Sequence, residues 1–258
     1  APAEARGRTW DDKAFYDFSC GEPYLTPSID WRAAFLRREH GCEIEALPAT
    51  LSESPYVLRK HCKTVAGRLL SSDFLNRLAW VLRLQRVLSF PQQAFGILEV
   101  GGGFGALARV FKLMHPQARV VLVDIPESLF FQHAFLKASF PAAKHQYVGR
   151  PDEVVADDAD FVYVPNCFAQ VLAGSEFFLA VNTNSFGEMP EEASSRWLDL
   201  IQRETSTANI FFLNRFLNRI DKGLLETRRG HSSWSFMLDD RWAIREWEVD
   251  PPYERCPY

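Results

Sequence analysis

Ile97-Leu98-Glu99-Val100-Gly101-Gly102-Gly103-Phe104-Gly105 is the stretch on which the fold of this chain is decided. The apolar run Phe95 to Val100 reads as a short buried strand that ends in a glycine cluster, and a helical pattern follows through about His115. Glycine at a strand end lets a ligand approach the backbone closely, because no Cβ intervenes. The start of the following helix offers N–H groups and a partial positive charge, which suit a carboxylate as well as a phosphate. The next strand, Arg119 to Asp124, ends in an acid 21 residues after Gly103. A carboxylate there can accept hydrogen bonds from both hydroxyls of a ribose.

Outward from this unit the chain alternates strands and helices. Pro126 opens a helix with Glu127 in its first turn; Phe161 to Val164 reads as a third strand and Phe177 to Asn182 as a fourth. Glu191 to Thr205 follows as a helix and Asn209 to Asn214 as a fifth strand. Trp234 to Leu238 and Ala243 to Val249, around Asp239-Asp240, read as a terminal antiparallel pair. Such alternation predicts an α/β fold, a doubly wound and mostly parallel seven-stranded sheet covered by helices on both faces. Ahead of it lies a helical and irregular extension. Trp31 to His40 is a short helix stopped by Gly41, and residues 73–89 form a longer one, capped by Ser71, Ser72 or Asp73 and ended by Pro91. The expected division is 1–92 for an N-terminal extension covering the site and 93–258 for the cofactor-binding domain.

The glycines alone admit two cofactors. Gly101-x-Gly103-x-x-Ala106 satisfies a loose dinucleotide fingerprint, so a nicotinamide enzyme is one reading. Three features favour S-adenosylmethionine instead: Glu99 two residues before the first glycine, the spacing Gly101-x-Gly103-x-Gly105, and the single run of alternating elements closed by an antiparallel pair. The expected cofactor contacts are Glu99, Gly101, Gly102, Gly103, Asp124, Ile125, Asn166 and Asn182, with Phe168 either stacking on the adenine or packing in the core.

Composition narrows the class. The net charge is −4 with no block of Lys or Arg, which disfavours nucleic acid as a partner. No apolar run nears the roughly 18 residues of a membrane span, and Ala1 to Trp10 carry no signal-type apolar segment. Five cysteines without a C-x-x-C pair read as reduced thiols of a cytoplasmic enzyme, not as a zinc site. Asp157, Asp158 and Asp160 read as a solvated loop; no metal site is expected, and metal dependence stays open, as does homo-oligomerisation.

Three blocks carry a more specific likeness: Ile97 to Arg109 (ILEVGGGFGALAR), Val123 to Leu129 (VDIPESL) and Ala180 to Met189 (AVNTNSFGEM). In these the chain resembles the sugar O-methyltransferase family of bacterial glycan and natural-product gene clusters. The resemblance implies a class I methyltransferase fold, S-adenosylmethionine as methyl donor and a sugar hydroxyl on a glycan or glycosylated small molecule as acceptor. O- or N-methylation of a non-sugar metabolite or modified peptide is the alternative, as is a module that binds the cofactor without turnover. A sugar hydroxyl must lose its proton during attack, so a base is expected. Glu188 and His231 are the candidates, while Asn184, Ser185, Arg228 and Arg229 are the expected acceptor contacts. Glu188 is equally well read as an acid favoured by the helix start after Pro190.

Overall fold

Runs such as Val120-Val121-Leu122-Val123 are apolar on both sides of the pleat, which suits strands buried on both faces. The computed structural model describes residues 29–57, 59–214 and 238–247. The described residues divide into two compact units, 29–89 and 90–247.

In the first unit, α1 (Ile29–His40) ends at Gly41, whose φ of 60° is left-handed. Gly41 N donates to Arg37 O, the single bond of an αL stop, and Cys42 N donates to Leu36 O. Strands β1 (Cys62–Val65) and β2 (Arg68–Ser71) form an antiparallel hairpin. Its two-residue turn, Ala66-Gly67, has positive φ at both positions, as a type I′ turn requires. Helix α2 (Ser72–Val87) then starts with the Ser71 hydroxyl accepting from Phe74 N at 2.9 Å. It packs on α1 through its apolar face, where Phe74, Leu75 and Leu78 are buried.

The second unit holds the sheet. In chain order its elements are β3 (Phe95–Val100), α3 (Ala106–Met114), β4 (Ala118–Asp124), α4 (Pro126–Ser139), β5 (His145–Tyr147), β6 (Phe161–Pro165), β7 (Glu176–Phe177), β8 (Leu179–Thr183), α5 (Glu191–Asp199), β9 (Ser206–Thr207) and β10 (Ile210–Leu213). Six strands make one sheet in the order β10-β8-β3-β4-β6-β5, every neighbouring pair parallel. Alternate residues build two cores. Val120 and Leu122 pack with Leu129 and Leu136 of α4. Val121 and Val123 point the other way, toward Leu198 of α5 and Ile201. Helices therefore cover both faces, as expected.

Several expectations are corrected. Among the described residues the main sheet has six strands, not seven. The expected fourth strand is split, because Glu176–Phe177 pairs with β9 in a separate ladder while Leu179–Thr183 enters the main sheet. The helix predicted over 191–205 is α-helical only to Asp199 and widens into a π turn over Leu200–Glu204. Residues 243–247 form no strand; ahead of them Asp239 N donates to the Gln202 side chain and the Arg241 guanidinium donates to Gln202 O. Trp234 to Met237, the other half of the expected pair, lies outside the described residues.

Candidate functional site

The chain leaves β3 for β4 on one side and reaches β8 on the other only later, so winding reverses direction at β3. In open parallel sheets ligands bind beyond the carboxyl ends of the strands at such a reversal. There the glycine turn begins. Gly101 N donates to Val123 O at 2.9 Å, tying the turn to β4, and Gly105 N donates to Gly102 O. Gly101, Gly103 and Gly105 have φ of 74°, 60° and 92°, a region L side chains rarely enter.

The glycines differ in what surrounds them. A Cβ on Gly101 would lie 2.0 Å from Ser185 Oγ, and one on Gly102 would lie 3.1 Å from the buried Glu99 carboxyl. A Cβ on Gly103 would meet nothing within 4 Å. Gly101 is thus demanded by protein packing, whereas Gly103 borders open space. Helix α3 starts at Gly105 with no side-chain cap, which leaves its first N–H groups to another acceptor.

Asp124, the last residue of β4, completes the arrangement. Its Oδ1 accepts from Ile125 N at 2.8 Å and its Oδ2 from Gln132 Nε2 at 2.7 Å. Burial pushes its carboxyl above the ordinary carboxylate range, opposed by hydrogen bonds from Ile125, Gln132, Gly102 and Ser128. Ile125 is 48% exposed, a large apolar surface beside the acid. Asn166 is exposed and follows Pro165, which pairs with Asp124 across β6 and β4.

Gln132 is a residue that sequence reading passed over. It is fully buried in α4, and its amide donates both to Asp124 and to Gly103 O at 3.0 Å. Ser128 and Gln132 lie four apart, on the buried face with Leu129 and Leu136. Polar residues at i and i+4 within an apolar stripe were the available signal.

Asn182 and Ser185 have a different place from the one expected. Asn182 is fully buried; its Nδ2 donates to Val100 O at 2.8 Å and to Ser185 Oγ. Its Oδ1 accepts from Phe186 N at 3.2 Å and from Asn214 Nδ2 at 2.9 Å. Two donated and two accepted bonds fill an asparagine amide. Ser185 Oγ also donates to Val100 O. Both side chains therefore fasten β8 to the glycine turn from below, and their polar atoms serve the protein. Asn184 takes a left-handed φ of 64°, which Asn tolerates, with its N donating to Leu213 O. Glu188 ends the short turn Phe186–Glu188 and is exposed on the same carboxyl edge. His231, Arg228 and Arg229 lie outside the described residues.

Other groups settle into structural roles. Phe168 packs against the core beside β6. Asp157, Asp158 and Asp160 pair with Arg119, Lys144 and Lys112. His145 joins β5 to β6 and α4: its Nε2 can only donate to Phe140 O, so its Nδ1 accepts from Tyr163 Oη at 2.9 Å. Among the described residues no three His, Cys, Asp or Glu side chains group as metal ligands, and no helix is long and apolar enough to cross a membrane.

No family model and no curated protein matches the chain. Among solved structures it is similar to coclaurine N-methyltransferase bound to N-methylheliamine and S-adenosylhomocysteine, at 15% identity and a TM-score of 0.40, over 81% of this chain and 55% of that one. The pyocyanin biosynthetic protein PhzM matches at 18% identity and a TM-score of 0.37, over 80% and 55%. PigF with S-adenosylhomocysteine matches at 17% identity and a TM-score of 0.37, over 52% and 35%. The chain thus spans between about a third and just over half of the length of these proteins. The likenesses are distant.

Proposed function

We propose that this chain binds S-adenosylmethionine and transfers its methyl group to a hydroxyl, on a sugar of a glycan or of a glycosylated small molecule. One observation carries the cofactor reading. The open space at Gly103, the uncapped start of α3 and the Asp124 carboxylate converge at the carboxyl ends of β3 and β4. An amino-acid carboxylate suits the helix start, and a ribose suits the acid. The cofactor, when bound, supplies an electrophilic methyl group on a sulfonium.

The chain's own residues do the rest. The turn Gly101 to Gly103 admits the ligand close to the backbone, with Glu99 buried beneath Gly102. Asp124 accepts the ribose hydroxyls, and Ile125 and Asn166 flank the adenine. Asn184, Arg228 and Arg229 hold the acceptor, and Glu188 or His231 takes the proton from the attacking hydroxyl. Alignment of acceptor and methyl group lowers the barrier by several kcal/mol or more. The sugar acceptor rests on the resemblance carried by the Ala180 to Met189 block.

The test is calorimetric titration with S-adenosylhomocysteine, with NAD as parallel control. Micromolar binding of the first and none of the second supports the reading. Binding of NAD alone, or of neither, sinks it. A screen of sugar hydroxyls against sugar-free acceptors then decides the acceptor class.

A further inference from the structure

Gln132 is a buried polar side chain that the packing of α4 does not by itself require. It stands two turns into α4, among Leu129 and Leu136, where an aliphatic side chain would pack at no polar cost. Its amide donates to two acceptors, Gly103 O and Asp124 Oδ2, and its own Oε1 is buried without a hydrogen-bond partner. Turning the amide over would set three acceptor oxygens against one another, so this orientation is the one chemistry permits. An acceptor left buried and unmatched costs stability. What the arrangement holds is the spacing between the glycine turn and the acid at the end of β4.

We infer that Gln132 is the positioning residue for ribose recognition: by donating to Gly103 O and Asp124 Oδ2 it fixes the carboxylate against the glycine turn, so that the acid meets the ribose hydroxyls preorganised. This rests on the reading that the turn and Asp124 bind S-adenosylmethionine. Ile125 N restrains Oδ1 from the other side, so the carboxylate is held at both oxygens before any ligand arrives. Preorganisation of this kind raises affinity by lowering the ordering cost of binding.

The inference separates from a packing role by ligand discrimination. The experiment compares the whole chain with its Gln132→Met variant, which keeps apolar volume and removes both donors. Each is titrated with S-adenosylhomocysteine and with its 2′-deoxy and 3′-deoxy analogues, and thermal unfolding is followed without ligand. Expected is an affinity for S-adenosylhomocysteine lowered about 10-fold or more. The analogues should lose much less, so that the preference for the intact ribose collapses; a lower melting temperature, from Gly103 O and Asp124 Oδ2 losing their donor, is common to a positioning and a packing role and does not bear on the comparison. An unchanged preference for the intact ribose, whether overall affinity holds or falls equally for all three ligands, overturns it. Should the Met variant not fold, Gln132→Asn answers the same question, because one carbon less cannot span both acceptors. A wild-type chain that binds no S-adenosylhomocysteine overturns the cofactor reading itself, a result separate from the variant comparison.

Discussion

At the scale of single residues, the turn's glycines make opposite demands. A methyl group on Gly101 collides with Ser185, while one on Gly103 enters open space and meets only the penalty of a left-handed backbone, on the order of 1–2 kcal/mol. Gly101→Ala, with that penalty and the collision together, is therefore expected to unfold the chain at distinctly lower urea than Gly103→Ala, which loses only the backbone term but most of its affinity for S-adenosylhomocysteine. Urea titration and calorimetry on the two variants check this, and equal affinity losses per unit of stability would contradict it. Asn182 belongs with Gly101. Asn182→Leu strands Phe186 N and the Asn214 amide, leaves Val100 O with the Ser185 hydroxyl alone, and is expected to cost roughly 2–4 kcal/mol in chemical denaturation. Cofactor affinity falls only as far as the turn loosens.

At the scale of elements, α4 is fastened to the sheet by aromatic and imidazole contacts. His133 packs edge-on to Tyr163 with ring centres 4.9 Å apart, and His145 Nδ1 accepts a hydrogen bond from Tyr163 Oη. Burial holds both histidines below the ordinary value of 6.5, with Lys137 adding to the effect. Their neutral forms are thus favoured by folding. The stability they contribute is fully present above about pH 6.5 and is lost as pH falls through the lowered values. Urea unfolding between pH 7.5 and pH 5.5 should show this loss, and His145→Gln should flatten the slope. A slope unchanged by that substitution would remove His145 as its source. In the other unit, the Ser71 cap of α2 gives a simpler expectation: Ser71→Ala removes the acceptor for Phe74 N and costs about 1 kcal/mol in denaturant unfolding.

At the scale of the whole molecule, the parallel order β10-β8-β3-β4-β6-β5 sets the proposed site at one edge. Gly101 to Gly103, Asp124, Ile125 and Asn166 lie at or just beyond the carboxyl ends of β3, β4 and β6. A ligand that binds the folded chain alone stabilises it by about 2.7 kcal/mol at 100 times its Kd. S-adenosylhomocysteine at that excess should accordingly raise the melting temperature, and NAD should leave it in place. A rise with NAD and none with S-adenosylhomocysteine would reverse the assignment.

Much of this architecture is written locally in the sequence. Strand β3 runs over the residues its apolar pattern predicts, Pro126 opens α4, Gly41 stops α1, and Ser71 caps α2. Each depends on periodicity, a fixed φ or a side-chain oxygen within a few residues, so each is legible without neighbours. The glycine turn and Asp124 belong here too. Only the tertiary structure decided what the polar side chains nearby do. Strand β5 is three residues long at the sheet edge, too short for a pattern to declare. Asn182 read as a ligand contact because it follows a strand, yet its four bonds run inward to Val100, Ser185, Phe186 and Asn214. Gln132 read as one more helical residue, yet it joins Gly103 to Asp124. A hydrogen bond between residues 29 or 82 positions apart leaves no periodic trace in the chain; it exists only once β3, β4, α4 and β8 are packed together.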